Sequence, residues 1–131
     1  MTIQNGTPGK IRILVIEDDE PLRSLTADLL EFSGFDVVTA EDGLKGLEEI
    51  RRSAPDLILC DLLMPELDGA GVRRALLNGE ETRKIPFIFT SAKADRENID
   101  QTLEIGPNNY LVKPFTKREL LACMALFLNQ G

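Results

Sequence analysis

Apolar residues fall along this chain in two alternating rhythms. Short apolar-rich runs recur at residues 11–16, 35–40, 57–60, 85–90 and 110–112, the one at 57–60 continuous, each bounded by turn residues or charge. Runs of that length and β-branched content read as strands, the central ones buried on both faces. Between them, apolar residues return at every third or fourth position. Leu22, Leu25, Leu29 and Phe32 predict a first helix, opened by Pro21 and stopped at Ser33 and Gly34. Leu44, Leu47 and Ile50 predict a second. A third is predicted from Gly69 to about Leu77, ended by Asn78 and Gly79. A weaker fourth covers residues 96–105, where Ile99 and Leu103 are the apolar anchors and Gly106-Pro107 the stop. Thr116 caps a last helix over residues 117–129. Five strand–helix pairs imply a parallel sheet with right-handed crossovers and helices on both faces. The fold class is therefore α/β, a doubly wound five-stranded parallel sheet with five helices, in one domain over residues 11–129.

Composition narrows the function. The 131 residues suffice for one domain. Residues 1–10 are polar, with Gly6, Pro8 and Gly9, and read as a loose tail without the apolar core of a signal peptide. No stretch approaches the ~20 apolar residues of a membrane span, so the expected location is cytoplasmic, with no membrane partner. Asp and Glu number 22 against 15 Lys and Arg, a net charge of -7. That balance argues against direct nucleic-acid binding, which needs a basic face. The chain has no histidine, which removes every imidazole base, nucleophile and metal ligand. Cys60 and Cys123 lie far apart in apolar runs and read as buried free thiols in a reducing compartment.

The chemistry gathers at strand ends. The stretch over residues 57–69 begins apolar and ends its strand on Asp61. Burying an unpaired carboxylate is costly, and in open α/β sheets the carboxyl ends of strands are where ligands bind. The first strand ends in Glu17 and Asp18, the fourth in Ser91, the fifth in Lys113. A parallel sheet puts all these ends on one edge. Each has an ordinary explanation in isolation: helix capping for the acids and for Ser91, strand packing for Thr90, solvation for Lys113. Their joint occurrence is harder to explain that way. Clustered carboxylates repel unless a cation neutralises them, and oxygen donors without His or Cys suit Mg²⁺ or Mn²⁺. Such an ion is a recurrent holder of phosphoryl groups. Asp61, between the acid pair and the lysine, is then the candidate for an aspartyl phosphate.

The chain resembles the receiver domains of two-component response regulators, the chemotaxis-regulator type included. The likeness is carried by Ile13-Leu14-Val15-Ile16-Glu17-Asp18-Asp19-Glu20-Pro21, Ala40-Glu41-Asp42-Gly43, Asp61-Leu62-Leu63-Met64-Pro65-Glu66-Leu67-Asp68-Gly69, Ile85-Pro86-Phe87-Ile88-Phe89-Thr90-Ser91-Ala92, and Tyr110-Leu111-Val112-Lys113-Pro114-Phe115. By analogy it implies the flavodoxin-like strand order 2-1-3-4-5. It implies that Asp61 accepts a phosphoryl group from a sensor histidine kinase or histidine phosphotransfer protein in a Mg²⁺-dependent phosphorelay. Asp18, Asp61 and the backbone carbonyl of Leu63 would ligate the ion, with Glu17 acting through water. Ser91 would hydrogen-bond the phosphoryl group, and Lys113 would pair with Asp61 and then with the phosphate. Tyr110 would be an aromatic switch turning inward on activation; a half-buried edge aromatic is the other reading. The Lys113–Pro114 bond would be cis. Phosphorylation would rearrange the surface of the fourth helix, fifth strand and last helix, toward a downstream effector or a homodimer partner.

The chain departs from the family pattern in three places. Glu17 stands where Asp is as common. Pro107-Asn108-Asn109 precedes the switch tyrosine where Ala-Asp-Asp is frequent, which alters partner choice rather than chemistry. The last helix, over residues 120–128, is apolar all round, so either a second apolar face is covered by a partner or Ala122 and Ala125 lie outermost. Three other functions compete. A haloacid-dehalogenase-type phosphatase needs a second acid two residues after the nucleophile, where this chain has Leu63. A flavodoxin-type cofactor binder needs a hydroxyl-rich loop after the first strand, where this chain has acids. A pseudo-receiver, acting only as an interaction module, would have lost an acid or the lysine. The chain is expected either to stand alone or to be the receiver of a longer protein.

Overall fold

The computed structural model describes residues 9–128. Its elements are β1 (Arg12–Ile16), α1 (Glu20–Phe32), β2 (Asp36–Ala40), α2 (Gly43–Arg52), β3 (Leu57–Asp61), α3 (Gly69–Leu77), β4 (Phe87–Ser91), α4 (Lys93–Arg96), β5 (Tyr110–Val112) and α5 (Lys117–Leu128). Short 3-10 turns occupy Thr82–Lys84 and Gln101–Leu103. The strands form one parallel sheet in the order β2-β1-β3-β4-β5, as the flavodoxin-like reading required. Residues 1–8 of the expected tail, and Asn129 at the expected end of the last helix, lie outside the described residues.

Strand alternation builds two cores. Ile13, Val15, Leu57, Leu59 and Ile88 point to one face and meet Leu30 of α1 with Leu120 and Met124 of α5. Leu14, Ile16, Ile58, Cys60, Phe87 and Phe89 point to the other, against Ile50 of α2, Val72 and Leu76 of α3, and Leu103. The central strands are thus covered on both sides, which is why they read as continuous apolar runs rather than alternating ones. Three aspartates start helices at the carboxyl edge of the sheet. Asp19, Asp42 and Asp68 accept hydrogen bonds from the amides of Leu22, Lys45 and Gly71 at 2.8–2.9 Å, which satisfies helix-start donors. Thr116 and Glu119 form a reciprocal capping box at the head of α5.

Several expectations need correction. The fourth helix does not span residues 96–105: one helical turn at Lys93–Arg96 is followed by an irregular stretch and the 3-10 turn. Asp100 accepts bonds from both the amide and the hydroxyl of Thr102, a local arrangement that competes with the helical ladder. The fourth strand starts at Phe87 rather than Ile85, since Pro86 has no N–H to donate. Cys123 is only half-buried; Cys60 is buried, and both thiols are free. The last helix buries Leu120 and Met124 and turns Ala122 and Leu126 outward, so Leu126, not Ala125, accompanies Ala122 on the outermost line. Among the described residues no helix is long and apolar enough to cross a membrane.

Candidate functional site

The acids at the sheet's carboxyl edge separate into two groups. Asp19, Asp42 and Asp68 are helix caps and have their ordinary structural explanation. Glu17, Asp18 and Asp61 are not caps. Their carboxylate oxygens lie within 4.8 Å of one another, a spacing that would hold a metal ion. Glu17 and Asp61 are buried, whereas Asp18 is exposed. Topology creates the cluster, because β1 and β3 are adjacent in the sheet. The next strand, β4, pairs Thr90 with Asp61, which sets Ser91 just beyond it at the edge.

Lys113 completes the site from the far end of the chain. Its Nζ lies 2.8 Å from Glu17 Oε1 and 3.3 Å from Asp61 Oδ1. Burial pulls the ammonium's pKa down, but the bond to Glu17 and the charge of Asp61 outweigh it, and the net displacement is upward. Asp61 itself is pushed up to about 7, first by burial and then by Glu17, against the pull of Lys113. One lysine does not balance two buried carboxylates plus Asp18. The all-oxygen donor set and its uncompensated charge fit a hard divalent cation. The Lys113–Pro114 bond is cis, as the family resemblance implied.

The loop after β3 wraps the nucleophile candidate. The Leu63 amide donates to Asp61 Oδ1 at 3.4 Å, and Gly69 returns its amide to the Leu62 carbonyl at 2.9 Å. A Cβ at position 69 would collide with the Asp61 carbonyl oxygen and Leu62 Cα, so the close approach of α3 to β3 demands glycine there. Leu63 keeps its side chain outside, more than half exposed.

The structure places the other expected residues as follows. Ser91 is buried, and its hydroxyl donates to Asp95 Oδ2 at 2.8 Å, not to Asp61. Tyr110 lies on the edge strand β5 but is buried rather than half-buried, only 6 % exposed, and its hydroxyl donates to the Ala92 carbonyl at 2.8 Å. The Arg96 guanidinium covers the ring at 5.9 Å. Two neighbours escaped the sequence reading. Arg23 of α1 donates to the carbonyls of Glu17 and Asp18 and braces the acidic turn. Asp95 lies in the first turn of α4, across the strand-to-helix turn from Ser91, and no helical spacing signals the pair because Ser91 belongs to β4.

The profile described as the response regulator receiver domain matches residues 13–125. The phosphate regulon transcriptional regulatory protein PhoB of Pseudomonas aeruginosa is 36 % identical over 118 residues, 90 % of this chain and 52 % of PhoB. The DNA-binding dual master transcriptional regulator RpaA of Synechocystis is 37 % identical over 91 % of this chain and 49 % of RpaA. The chain thus spans about half the length of these curated relatives. Among solved structures, the receiver domain of the sensor histidine kinase PA1611 of Pseudomonas aeruginosa superposes with a TM-score of 0.82 at 31 % identity, covering 93 % of this chain and 100 % of that one. That receiver holds a magnesium ion coordinated in its active-site cleft.

Proposed function

The chain belongs to the response regulator receiver family of two-component signalling, and from that membership we propose that Asp61 is its phospho-acceptor. The observation that carries the reading is the position of Asp61: buried at the end of the central strand, 3.3 Å from Lys113, within reach of Glu17 and Asp18. An Asp61 carboxylate oxygen attacks the phosphorus of a phosphohistidine on a sensor histidine kinase or histidine phosphotransfer protein. The P–N bond breaks, its electron pair stays on the imidazole, and an acyl phosphate forms. Nucleophilic attack needs the ionised carboxylate. Lys113 favours that form and later pairs with the phosphoryl oxygens. Ser91 donates its hydroxyl to the same group.

Glu17, Asp18 and Asp61, with the backbone carbonyl of Leu63, would hold Mg²⁺ or Mn²⁺, with Glu17 reaching it through water. When bound, such an ion neutralises the carboxylates and the phosphoryl charge. Tyr110, held inward against Ala92, couples the site to α4 and β5. The surface of α4, β5 and α5 would then meet a downstream effector or a second copy, with Leu126 as its outermost apolar residue on α5. The chain catalyses only its own phosphotransfer and dephosphorylation, in the cytoplasm, with no direct nucleic-acid or membrane partner. The interaction-only reading has no specific observation in its favour, since every acid and the lysine are present.

Acetyl phosphate with Mg²⁺ tests the assignment. Asp61→Asn should abolish alkali- and hydroxylamine-labile labelling while leaving the fold intact; undiminished labelling would refute the role of Asp61.

A further inference from the structure

We infer that Asp95 is a positioning residue: it captures the Ser91 hydroxyl and thereby sets how strongly a phosphoryl group on Asp61 is held. The inference rests on the phospho-acceptor reading above. A serine hydroxyl has one proton to give. Here that proton goes to Asp95 Oδ2 at 2.8 Å. The neighbouring hydroxyl, on Tyr110, gives its own to the Ala92 carbonyl. The Lys113 ammonium is directed at Glu17 and Asp61. A phosphoryl group on Asp61 would call on Ser91 as a donor, and Ser91 cannot serve it and Asp95 together. The two contacts exclude each other.

The resting contact is a strong competitor. Its acceptor is a carboxylate oxygen, and charge-assisted bonds are about twice as strong as neutral ones. It is also shielded, with Ser91 buried and Asp95 half-buried. Breaking it acts on more than one residue. The Asp95 amide donates to the Ala92 carbonyl at 3.1 Å, the same carbonyl that holds Tyr110. Releasing the Asp95 side chain therefore loosens α4, the element next to the switch tyrosine. The four residues of α4 are otherwise tied down through Arg96, which donates to the Pro107 carbonyl at 2.8 Å and covers the Tyr110 ring. Asp95 thus links phosphoryl occupancy to the order of that turn.

Beryllofluoride, which mimics the phosphoryl group on an aspartate, tests this with Mg²⁺ and the full chain. Its apparent affinity can be followed by calorimetry and by the fluorescence of the single tyrosine, there being no tryptophan. Asp95→Ala should tighten binding about ten- to a hundredfold, as expected for one charge-assisted hydrogen bond. Asp95→Asn keeps an acceptor oxygen and should tighten it less. In a Ser91→Ala background, Asp95→Ala should change affinity by less than about twofold, because the captured donor is gone. Equal affinities for the wild-type chain and Asp95→Ala overturn the inference. So does a gain of the same size without Ser91, which would report loss of negative charge alone. A wild-type chain that binds no beryllofluoride overturns the phospho-acceptor reading, and this inference with it.

Discussion

Asp61 is 5 % exposed and faces Glu17, so it pays the desolvation of a buried charge and the repulsion of a second one. Its pKa near 7 in the fold compares with about 3.9 for a free aspartate. A group that binds its proton more tightly when folded favours folding while protonated. The penalty is therefore absent below about pH 4, grows as pH rises through the window between the two values, and is complete above about pH 7. Removing the charge should stabilise the metal-free protein only on the alkaline side. Asp61→Asn is expected to gain about 2 kcal/mol at pH 8 in chelator, allowing for solvent screening, and almost nothing at pH 4. Urea unfolding at the two pH values checks it; a variant less stable than wild type at pH 8 contradicts this account. The same substitution removes phospho-acceptance, so stability and function pull in opposite directions at one side chain.

Helical periodicity named α1 correctly but not its buried side. Leu22, Leu25, Leu29 and Phe32 looked like the inward stripe, yet Leu25 is 56 % exposed and Phe32 86 %. The residues that meet the sheet are Thr26, Ala27 and Leu30. Thr26 and Ala27 are small and allow close approach, so the larger side chains flank the contact. Leu22, Leu25 and Leu29 instead line an apolar groove with Pro114 and Phe115. Phe32 lies under the Lys117 ammonium, 5.1 Å from its ring. Phe32→Ala should therefore change stability by less than about 0.5 kcal/mol, whereas Phe89→Ala in the core should cost about 3–5 kcal/mol. Chemical denaturation of the two variants separates the cases, and a large loss at Phe32 would restore the inward reading. The shortened α4 makes a similar point: Ile99 and Leu103 mark contact with the core, but the Asp100–Thr102 bonds decide that the contact is made without a long helix.

Across the whole molecule, the fold places charges that the chain keeps far apart. Glu17 and Lys113 are 96 positions apart in sequence and 2.8 Å apart in space. A cation binding that edge would bind the folded chain and not the unfolded one, and so would stabilise it by mass action. Mg²⁺ at a hundred times its dissociation constant should add about 2.7 kcal/mol. The expected result is an unfolding midpoint that climbs with Mg²⁺ in the wild-type chain and stays flat in Asp18→Asn. A midpoint that climbs equally in both would remove Asp18 from the site.

The sequence by itself determined the alternation of strands and helices, the parallel sheet, and the polar residues that close each strand. These follow from local periodicity and from the rule that parallel strands end on one edge, so they need no knowledge of packing. Five dispersed motifs also sufficed to identify the family. Only the tertiary structure decided which acids are caps and which are free to act, because Asp19, Asp42 and Asp68 look no different in the sequence from Asp18 and Asp61. Only it turned Leu25 and Phe32 of α1 outward, collapsed α4 to a turn, and gave the Ser91 proton to Asp95. Each of those outcomes depends on which groups compete for a limited number of hydrogen bonds and a limited area of sheet, and that competition exists only once the chain has closed on itself.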